Sequence, residues 1–373
     1  MRSNLKNIGI LTESLAGGGA ERSAALLSIE LTDLGYEVHL CTITDAVGYA
    51  YKGKLLNLGL LKNTRNDPFN KLKRFLYFKN YLKQNQIQVV LDFRMRSSII
   101  KEIVIRKFFY KTSLPVYMVR SSHIAYYFPK NKTLNKWFFK NSFINVLSHS
   151  TRLELEKCYK LQHIEVIPNS ISLASYADYY DLPDGIQNTY IIASGRLERG
   201  VKQFDKLIEA YAESILPEHN IDLLILGQGE MLETLKALVA RKHLQHRVHF
   251  KGFVDNPENY VANALFSVMC SNYEGFPRVI LESLACQTSV IATNSPTGPA
   301  EILDGSNGIL VPYQDFKGLT KAMNELALNT ELRLKFKAAA RASIRKFDTS
   351  VISTDWQNYL ERIYEYSQTH SIT

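Results

Sequence analysis

The strongest constraint on how this chain folds is an alternation, run through twice, of short β-rich segments with stretches of helical character. In the first half the β-rich runs are "IGILTE" (8–13), "EVHLCTI" (37–43), "QVVLDF" (88–93), "PVYMVR" (115–120), "FINVLS" (143–148) and "IEVIPN" (164–169). Helical segments separate them; Ala20 to Leu34 is one, and Gly35 stands where a C-terminal cap belongs. A polar stretch rich in Tyr and Asp, "SYADYYDLPDGIQN" (175–188), reads as a linker. The alternation then restarts with "TYIIASG" (189–195), "DLLILGQ" (222–228), "VHFKGF" (248–253), "FSVMCSN" (266–272), "SVIATN" (289–294) and "GILVP" (308–312), and three helices close the chain. There is no short sequence repeat, but the halves repeat one architecture. Alternation of this kind predicts parallel sheets covered by helices on both faces. The expectation is an α/β chain of two Rossmann-like domains, 1–172 and 173–352. The last segment, about 353–373 and containing "WQNYLERIYEY" (356–366), is expected to cross back to the first domain. Two such domains facing each other would hold a ligand in a deep cleft, beyond the carboxyl ends of the strands.

Composition narrows the class. With 46% hydrophobic and 22% charged residues the chain is of globular type. Its longest apolar runs, such as Ile221 to Gly227, are too short to cross a bilayer. The opening "MRSNLKNIGILTES" lacks the apolar core and small-residue cleavage site of a signal peptide. Cys41, Cys158, Cys270 and Cys286 are widely spaced and form no Cys-x-x-Cys pair, which points to free thiols in a reducing, cytoplasmic setting. The net charge of +9 is unevenly spread. Between Arg65 and Lys140, 17 Lys and Arg stand against three acids (Asp67, Asp92, Glu102), a local surplus of 14. Aromatics interleave with these cations in "KLKRFLYFK" (71–79), "IRKFFYK" (105–111) and "KNKTLNKWFFK" (130–140). Such a surface attracts polyanions. The helix-like spacing favours an anionic membrane surface, and no nucleic-acid motif accompanies it. A solvated basic face over core aromatics is the plainer alternative.

Several strand-end segments carry candidate chemistry. In "SNYEGFPRVILESLACQ" (271–287), Pro277 suits the first position of a helix, which leaves Glu274 in the preceding loop and Glu282 about a turn and a half inside. Glu282 stands among Val279, Ile280, Leu281, Leu284, Ala285 and Cys286, and a carboxylate left unpartnered in an apolar wall costs several kcal/mol. It suits the vicinal diol of a ribose, with an internal salt bridge as the alternative. Glu274 suits a sugar hydroxyl or a cationic transition state; an exposed loop acid is the alternative. The backbone N–H groups of Phe276, Arg278 and Val279 would serve an anion or a hydroxyl-rich ligand. In "SGRLERGVK" (194–202), Arg196 and Lys202 follow Gly195 at a strand end, where two cations would neutralise a diphosphate; an exposed basic loop with Arg199 is the plain reading. In "LAGGGAER" (15–22), Gly18 and Gly19 open the first helix and admit a phosphate to its N-terminus. The triple glycine does not fit G-x-G-x-x-G, although Asp45 lies where a dinucleotide fold keeps its ribose-binding acid. Gly227 in "LGQGE" (226–230), with "FKGFV" (250–254) beside it, would present backbone to a base edge, or is a turn only.

Taken together, Glu274-x7-Glu282 within "YEGFPRVILESLA", "GRL…K" upstream and "GGGAE" near the start resemble retaining glycosyltransferase family 4, of GT-B architecture. "VIPNSIS" (166–172), "SPTGPAEIL" (295–303) and "NGILVP" (307–312) also match in order, so the resemblance covers essentially the whole chain. It implies that Glu282 holds the ribose, and that Glu274 with the backbone of Gly275 and Phe276 holds the donor sugar. By the same resemblance Arg196 and Lys202 hold the diphosphate, and Gly18 and Gly19 close over it. The family's helper histidine is best matched by His123 in "RSSHIAYY", with Arg120 competing. This chain departs from the family pattern in three places: the arginine–lysine spacing is one residue longer, Gln203 stands where the family has Gly after the lysine, and "IPNSIS" replaces "IPNGID".

No Asp-x-Asp occurs, and no His/Cys cluster has ligand spacing. A metal-independent reaction without cofactor is therefore expected, the cationic pair doing what a divalent ion does elsewhere. The resemblance implies retention of configuration. No residue offers a convincing covalent nucleophile, so front-face attack by the acceptor hydroxyl is the expected route. The expected activity is transfer of a hexose or N-acetylhexosamine from a UDP-sugar to a glycan, lipid-linked in view of the basic aromatic first domain, at the inner face of the cell membrane. A sugar-nucleotide epimerase of the same fold, or an inactive nucleotide- or polyanion-binding protein, are the competing readings.

Overall fold

The structure, a computed structural model, describes residues 4–64, 67–183 and 185–369; Arg65, at the edge of the basic stretch, and Asp184, in the polar one, lie outside them. Each strand expected from the alternation forms, and each stops one to three residues short of the expected carboxyl end. The chain divides into two compact units, Met1–Asn169 with Ser350–Thr373, and Ser170–Thr349. The divisions thus fall three residues before the expected 172 and 352.

The first unit is built on β1 (Asn7–Thr12), β2 (Glu37–Thr42), β3 (Lys54–Asn57), β4 (Val89–Asp92), β5 (Leu114–Val119), β6 (Phe143–Val146) and β7 (Ile164–Val166). They form one sheet in the order β3-β2-β1-β4-β5-β6-β7, with every pairing parallel. The sequence reading missed β3, because "KLLN" is four residues long, starts on a lysine and lies at the sheet edge. Between the strands run α1 (Gly19–Asp33), α2 (Pro68–Gln84), α3 (Ile99–Phe108), α4 (Lys132–Phe139) and α5 (His149–Tyr159). The side chain of Asp67 caps α2 by accepting from the Asn70 N–H at 2.8 Å, and Pro68 takes the first turn.

The second unit carries β8 (Tyr190–Ser194), β9 (Asp222–Leu226), β10 (Val248–Gly252), β11 (Ser267–Met269), β12 (Val290–Thr293) and β13 (Gly308–Val311), ordered β10-β9-β8-β11-β12-β13 and again wholly parallel. Its helices are α6 (Phe204–Ala212), α7 (Leu232–Arg241), α8 (Pro257–Ala262), α9 (Arg278–Ala285), α10 (Pro299–Ile302), α11 (Phe316–Leu328) and α12 (Thr330–Ser343). The two sheets have one topology: three strands are laid down in one direction, and the fourth returns beside the first. The polar stretch 175–188 is not a free linker. Tyr176 packs against the Tyr190 and Ile192 side of the second sheet. Arg341 of α12 donates to the carbonyl oxygens of Tyr176 and Ala177 and to Asp178.

The last helix, α13 (Thr349–Thr369), buries Ile352, Trp356, Tyr359, Leu360 and Ile363, one face at helical spacing. These side chains share a core with Ile8, Ile10, Val89 and Leu91 of the first sheet. Gln88 donates to the Tyr364 hydroxyl at 2.7 Å, fastening the same helix. No helix among the described residues is long and apolar enough to cross a membrane.

Candidate active site

In an open parallel sheet the loops beyond the carboxyl ends diverge where the strand order reverses, and a crevice forms there. In the second unit that point lies between β8 and β11, which pair through Ile192 and Ser267. Topology therefore sets the loop after β8 (195–203) beside the loop after β11 (270–277), segments some seventy positions apart in the chain. Their side chains meet: Lys202 Nζ lies 2.6 Å from Glu274 Oε1, with the two side chains only 19% and 13% exposed. The loops are also tied through backbone. The Asn272 N–H donates to Val201 O at 2.8 Å, its side-chain amide to Gly200 O at 3.2 Å, and the Cys270 thiol to Gln203 O at 3.3 Å.

Close backbone approach explains two of the glycines here. A Cβ on Gly227, after β9, would fall 1.9 Å from the carbonyl oxygen of Gly195, so the two strand-end loops touch only because that residue has no side chain. A Cβ on Gly298 would meet Pro277 Cδ at 2.5 Å, and its φ of +97 is open to few other residues. Gly298 belongs to "SPTGPAEIL", whose Thr297 donates to the Glu274 carbonyl at 2.6 Å. Thr297 and Gly298 thus hold the Glu274 loop, a supporting role that no local signal in "SPTG" reveals.

Gln203, where the family keeps glycine, adopts a left-handed conformation (φ +50) as the N-cap of α6. A side chain there carries a steric cost, partly offset by the larger entropy that glycine loses on folding. Gln203→Gly is expected to raise stability by about 0.5–1 kcal/mol, read as a higher urea midpoint with unchanged slope.

The remaining candidates fall less closely together. Arg196 is half-exposed and pairs with Glu198, Nη1 to Oε1 at 2.8 Å, rather than with the Lys202–Glu274 contact. Pro277 is the N-cap of α9 and not its first residue, so the helix starts at Arg278 and Val279. Phe276 is buried with its ring 5.2 Å from that of Phe347. Glu282 is not isolated in an apolar wall. Its side chain is 21% exposed, and Oε1 lies 3.6 Å from Arg278 Nε one turn earlier, beyond hydrogen-bond range but within that of an ion pair. Arg278 also donates through Nη1 to Ser170 O at 3.0 Å. The i, i+4 spacing of Arg278 and Glu282 is readable in the sequence and matches the internal salt bridge kept there as the alternative.

In the first unit the corresponding point lies between β1 and β4. Gly18 caps α1 and Gly19 begins it. The left-handed residue of that turn is Gly17 (φ +80), while the Glu21 carboxylate folds back over Gly18. His123 is exposed beside Tyr126, with ring centroids 4.4 Å apart. Arg120 lies deeper, donating to Asn145 Oδ1, with its guanidinium 5.1 Å from the Phe93 ring. Burial pulls its pKa down to about 9, so it stays a cation at neutral pH. Beyond β4, Arg94 joins two buried carboxylates, at 2.6 Å from Asp92 and 3.1 Å from Glu102. No group of three His, Cys, Asp or Glu among the described residues converges in a way that could hold a metal ion.

Two Rossmann-like units with one topology define an α/β fold, and a lysine–glutamate contact lies where the second sheet's order reverses. Residues 17–175 match the family model described as Glycosyltransferase Family 4, and residues 185–343 the one described as Glycosyl transferases group 1. Between them the two models take in most of the chain, which belongs to the group 1/family 4 glycosyltransferases, with the GT-B fold. It is 27% identical over 95% of its length, and 100% of the relative's, to a Campylobacter jejuni enzyme called N-acetylgalactosamine-N,N'-diacetylbacillosaminyl-diphospho-undecaprenol 4-alpha-N-acetylgalactosaminyltransferase. A second C. jejuni alpha-1,4-N-acetyl-D-galactosaminyltransferase, named for a longer undecaprenol-linked glycan, is 24% identical over 96% of this chain and 99% of its own. Among solved structures, sucrose-phosphate synthase from Thermosynechococcus elongatus superposes with a TM-score of 0.77 at 20% identity, over 97% of this chain and 100% of that one.

Proposed function

We propose that this glycosyltransferase moves a hexose or N-acetylhexosamine from a UDP-sugar to a lipid-linked glycan at the inner face of the cell membrane, with retention and an α-linked product. The observation that carries the reading is the Lys202–Glu274 contact at 2.6 Å, where the second sheet's order reverses. A lysine and a glutamate that neutralise each other at 2.6 Å are a pair that a charged donor separates. The diphosphate takes the ammonium, and the freed carboxylate accepts from a sugar hydroxyl. Glu282 takes the ribose diol, with Arg278 beside it. As the glycosidic bond lengthens, negative charge gathers on the departing phosphate, where Lys202 and Arg196 meet it without a metal ion. The acceptor hydroxyl attacks from the same face and passes its proton to that phosphate oxygen.

The lipid-linked acceptor is supported by the undecaprenol-linked substrates in the names of the two C. jejuni relatives and by the basic, aromatic first unit. Uridine as the base is supported by the resemblance of "SPTGPAEIL" to the version of this segment in family members that use UDP-hexoses and UDP-N-acetylhexosamines. A thermal-shift panel of UDP, GDP, ADP, NAD and several UDP-sugars tests the donor. UDP and one UDP-sugar, each at about 100 times its dissociation constant, are expected to add roughly 2.7 kcal/mol. Stabilisation by NAD alone, or by none of these, would remove the proposal. Turnover is expected to survive EDTA, and the anomeric coupling in the product's proton NMR spectrum to be that of an α-linkage; a β-coupling would rule out front-face retention.

A further inference from the structure

A cavity in the first unit lies at the opposite end of its sheet from that unit's own candidate residues Gly18, Gly19 and His123, which follow strand carboxyl ends. It has a volume of about 980 Å³ and is bordered by Gln88, Leu114 and Phe143, at the amino ends of β4, β5 and β6. Strands of four to six residues put that end about 13–20 Å from the carboxyl ends, so it is no part of a site there. Its charge is one-sided. Arg106, Lys107, Lys111 and Lys140 line it, and no acidic side chain among the described residues does. Arg106 is braced at the wall, donating to Phe138 O at 2.9 Å and to Ser142 Oγ at 3.2 Å. Trp137 lines the same cavity and is 67% exposed. On α3, which supplies two of the cations, Ile100, Val104 and Phe108 are all exposed. At four-residue spacing they form one outward apolar stripe, and Leu134 extends the exposed apolar surface on α4.

A monomeric domain seldom leaves aromatic and aliphatic side chains outward around a cationic hollow without a partner for both. The two features ask for one occupant with anionic heads and apolar tails. We infer that this end of the first unit is the membrane-docking face: the cavity takes the phosphate of an anionic phospholipid, while Trp137 and Phe108, the member of the stripe at the C-terminal end of α3, enter the interfacial layer. Lysines close to such a surface contribute by charge and the tryptophan by its amphipathic ring. This deepens the membrane part of the proposed function and rests on it. It selects one face among several, since α2 also exposes Phe69, Leu72 and Tyr77 beside Lys71, Lys73 and Lys79.

The test uses the full chain and vesicles of phosphatidylcholine with and without phosphatidylglycerol at low ionic strength. Trp137 is one of two tryptophans and the other, Trp356, is 4% exposed, so a blue shift of emission on vesicle binding reports Trp137. The expected results are binding to the anionic vesicles with that shift, and its loss in Trp137→Phe. The triple variant Lys107→Gln/Lys111→Gln/Lys140→Gln should partition roughly a hundredfold more weakly, with an unaltered melting curve and unaltered turnover of a water-soluble acceptor. The matched triple on α2, Lys71→Gln/Lys73→Gln/Lys79→Gln, should lose far less. Equal binding by the cavity triple, a dominant loss in the α2 triple, or parent binding without the emission shift would overturn the assignment of this face and leave membrane association standing. No binding of the parent to either vesicle would remove both. A shift produced by duplex oligonucleotide but not by vesicles would put a nucleic acid in the cavity instead.

Discussion

Lys202→Ala is expected to lower kcat by about 10²–10³, the loss that follows removal of one charge-stabilising group from a transition state, while the chain still melts cooperatively. Lys202 is a partly buried cation within 2.6 Å of Glu274, held in place by backbone contacts from the Asn272 loop. On the proposed route the donor diphosphate takes this ammonium from Glu274, and the same cation then meets the charge developing on the leaving phosphate. If the lysine only bound ground-state nucleotide, the substitution would raise KM and spare kcat, and the transition-state assignment would fail. Lys202→Arg should recover part of the binding but little of the rate, because a planar fork does not occupy the position of a compact ammonium. Glu274→Gln separates the two partners: it removes the negative charge, keeps an acceptor oxygen, and should reduce kcat while leaving UDP affinity equal or tighter.

The second large effect is on stability. Arg94→Met should destabilise the first unit by about 3–5 kcal/mol at neutral pH, because it leaves buried carboxylates without their cation. Asp92 is fully buried; it accepts from Arg94 Nε at 2.9 Å, from Arg94 Nη2 at 2.6 Å and from the Tyr110 hydroxyl at 2.9 Å. Burial alone would push its pKa up, but the charges of Arg94 and Arg96 with these hydrogen bonds outweigh it and hold the pKa below the ordinary carboxylate range. A depressed pKa of this kind contributes stability that is present above the unfolded value, near 3.9, and is lost as pH falls through the folded value. In Arg94→Met the burial penalty is opposed mainly by Arg96 and the Tyr110 hydroxyl, and both Asp92 and Glu102 should take up protons more readily. The deficit relative to the parent should therefore be largest near pH 7 and shrink toward pH 4. Urea titrations of both proteins at several pH values measure it, and a deficit independent of pH would show that lost packing, not the uncompensated charge, is responsible.

Much of this protein was legible in one dimension. Strand positions came from short β-rich runs at regular spacing, and their alternation with helices specified two parallel sheets without any contact being known. The edge strand Lys54–Asn57 was missed because four residues opening on a lysine carry too little signal. "EGFPRVILE" and "GRL…K" singled out Glu274 and Lys202 by residue type and by position at strand ends. Their contact was not readable, because it depends on β11 returning beside β8. Glu282 shows the converse: its apolar neighbours left a ribose or an internal salt bridge open as its partner, and the helix places Arg278 one turn away.

The sequence alone determined the class of fold, the order of its elements and most of the residue types available for chemistry, since periodicity and turn residues are local properties. Only the tertiary structure decided which of those residues meet. It set Lys202 against Glu274 and left Arg196 to Glu198. It also made Gly227 and Gly298 indispensable through backbones from distant segments. At the far end of the first sheet it gathered four cations into one hollow. These are long-range outcomes of strand order and packing, and no window along the chain contains them.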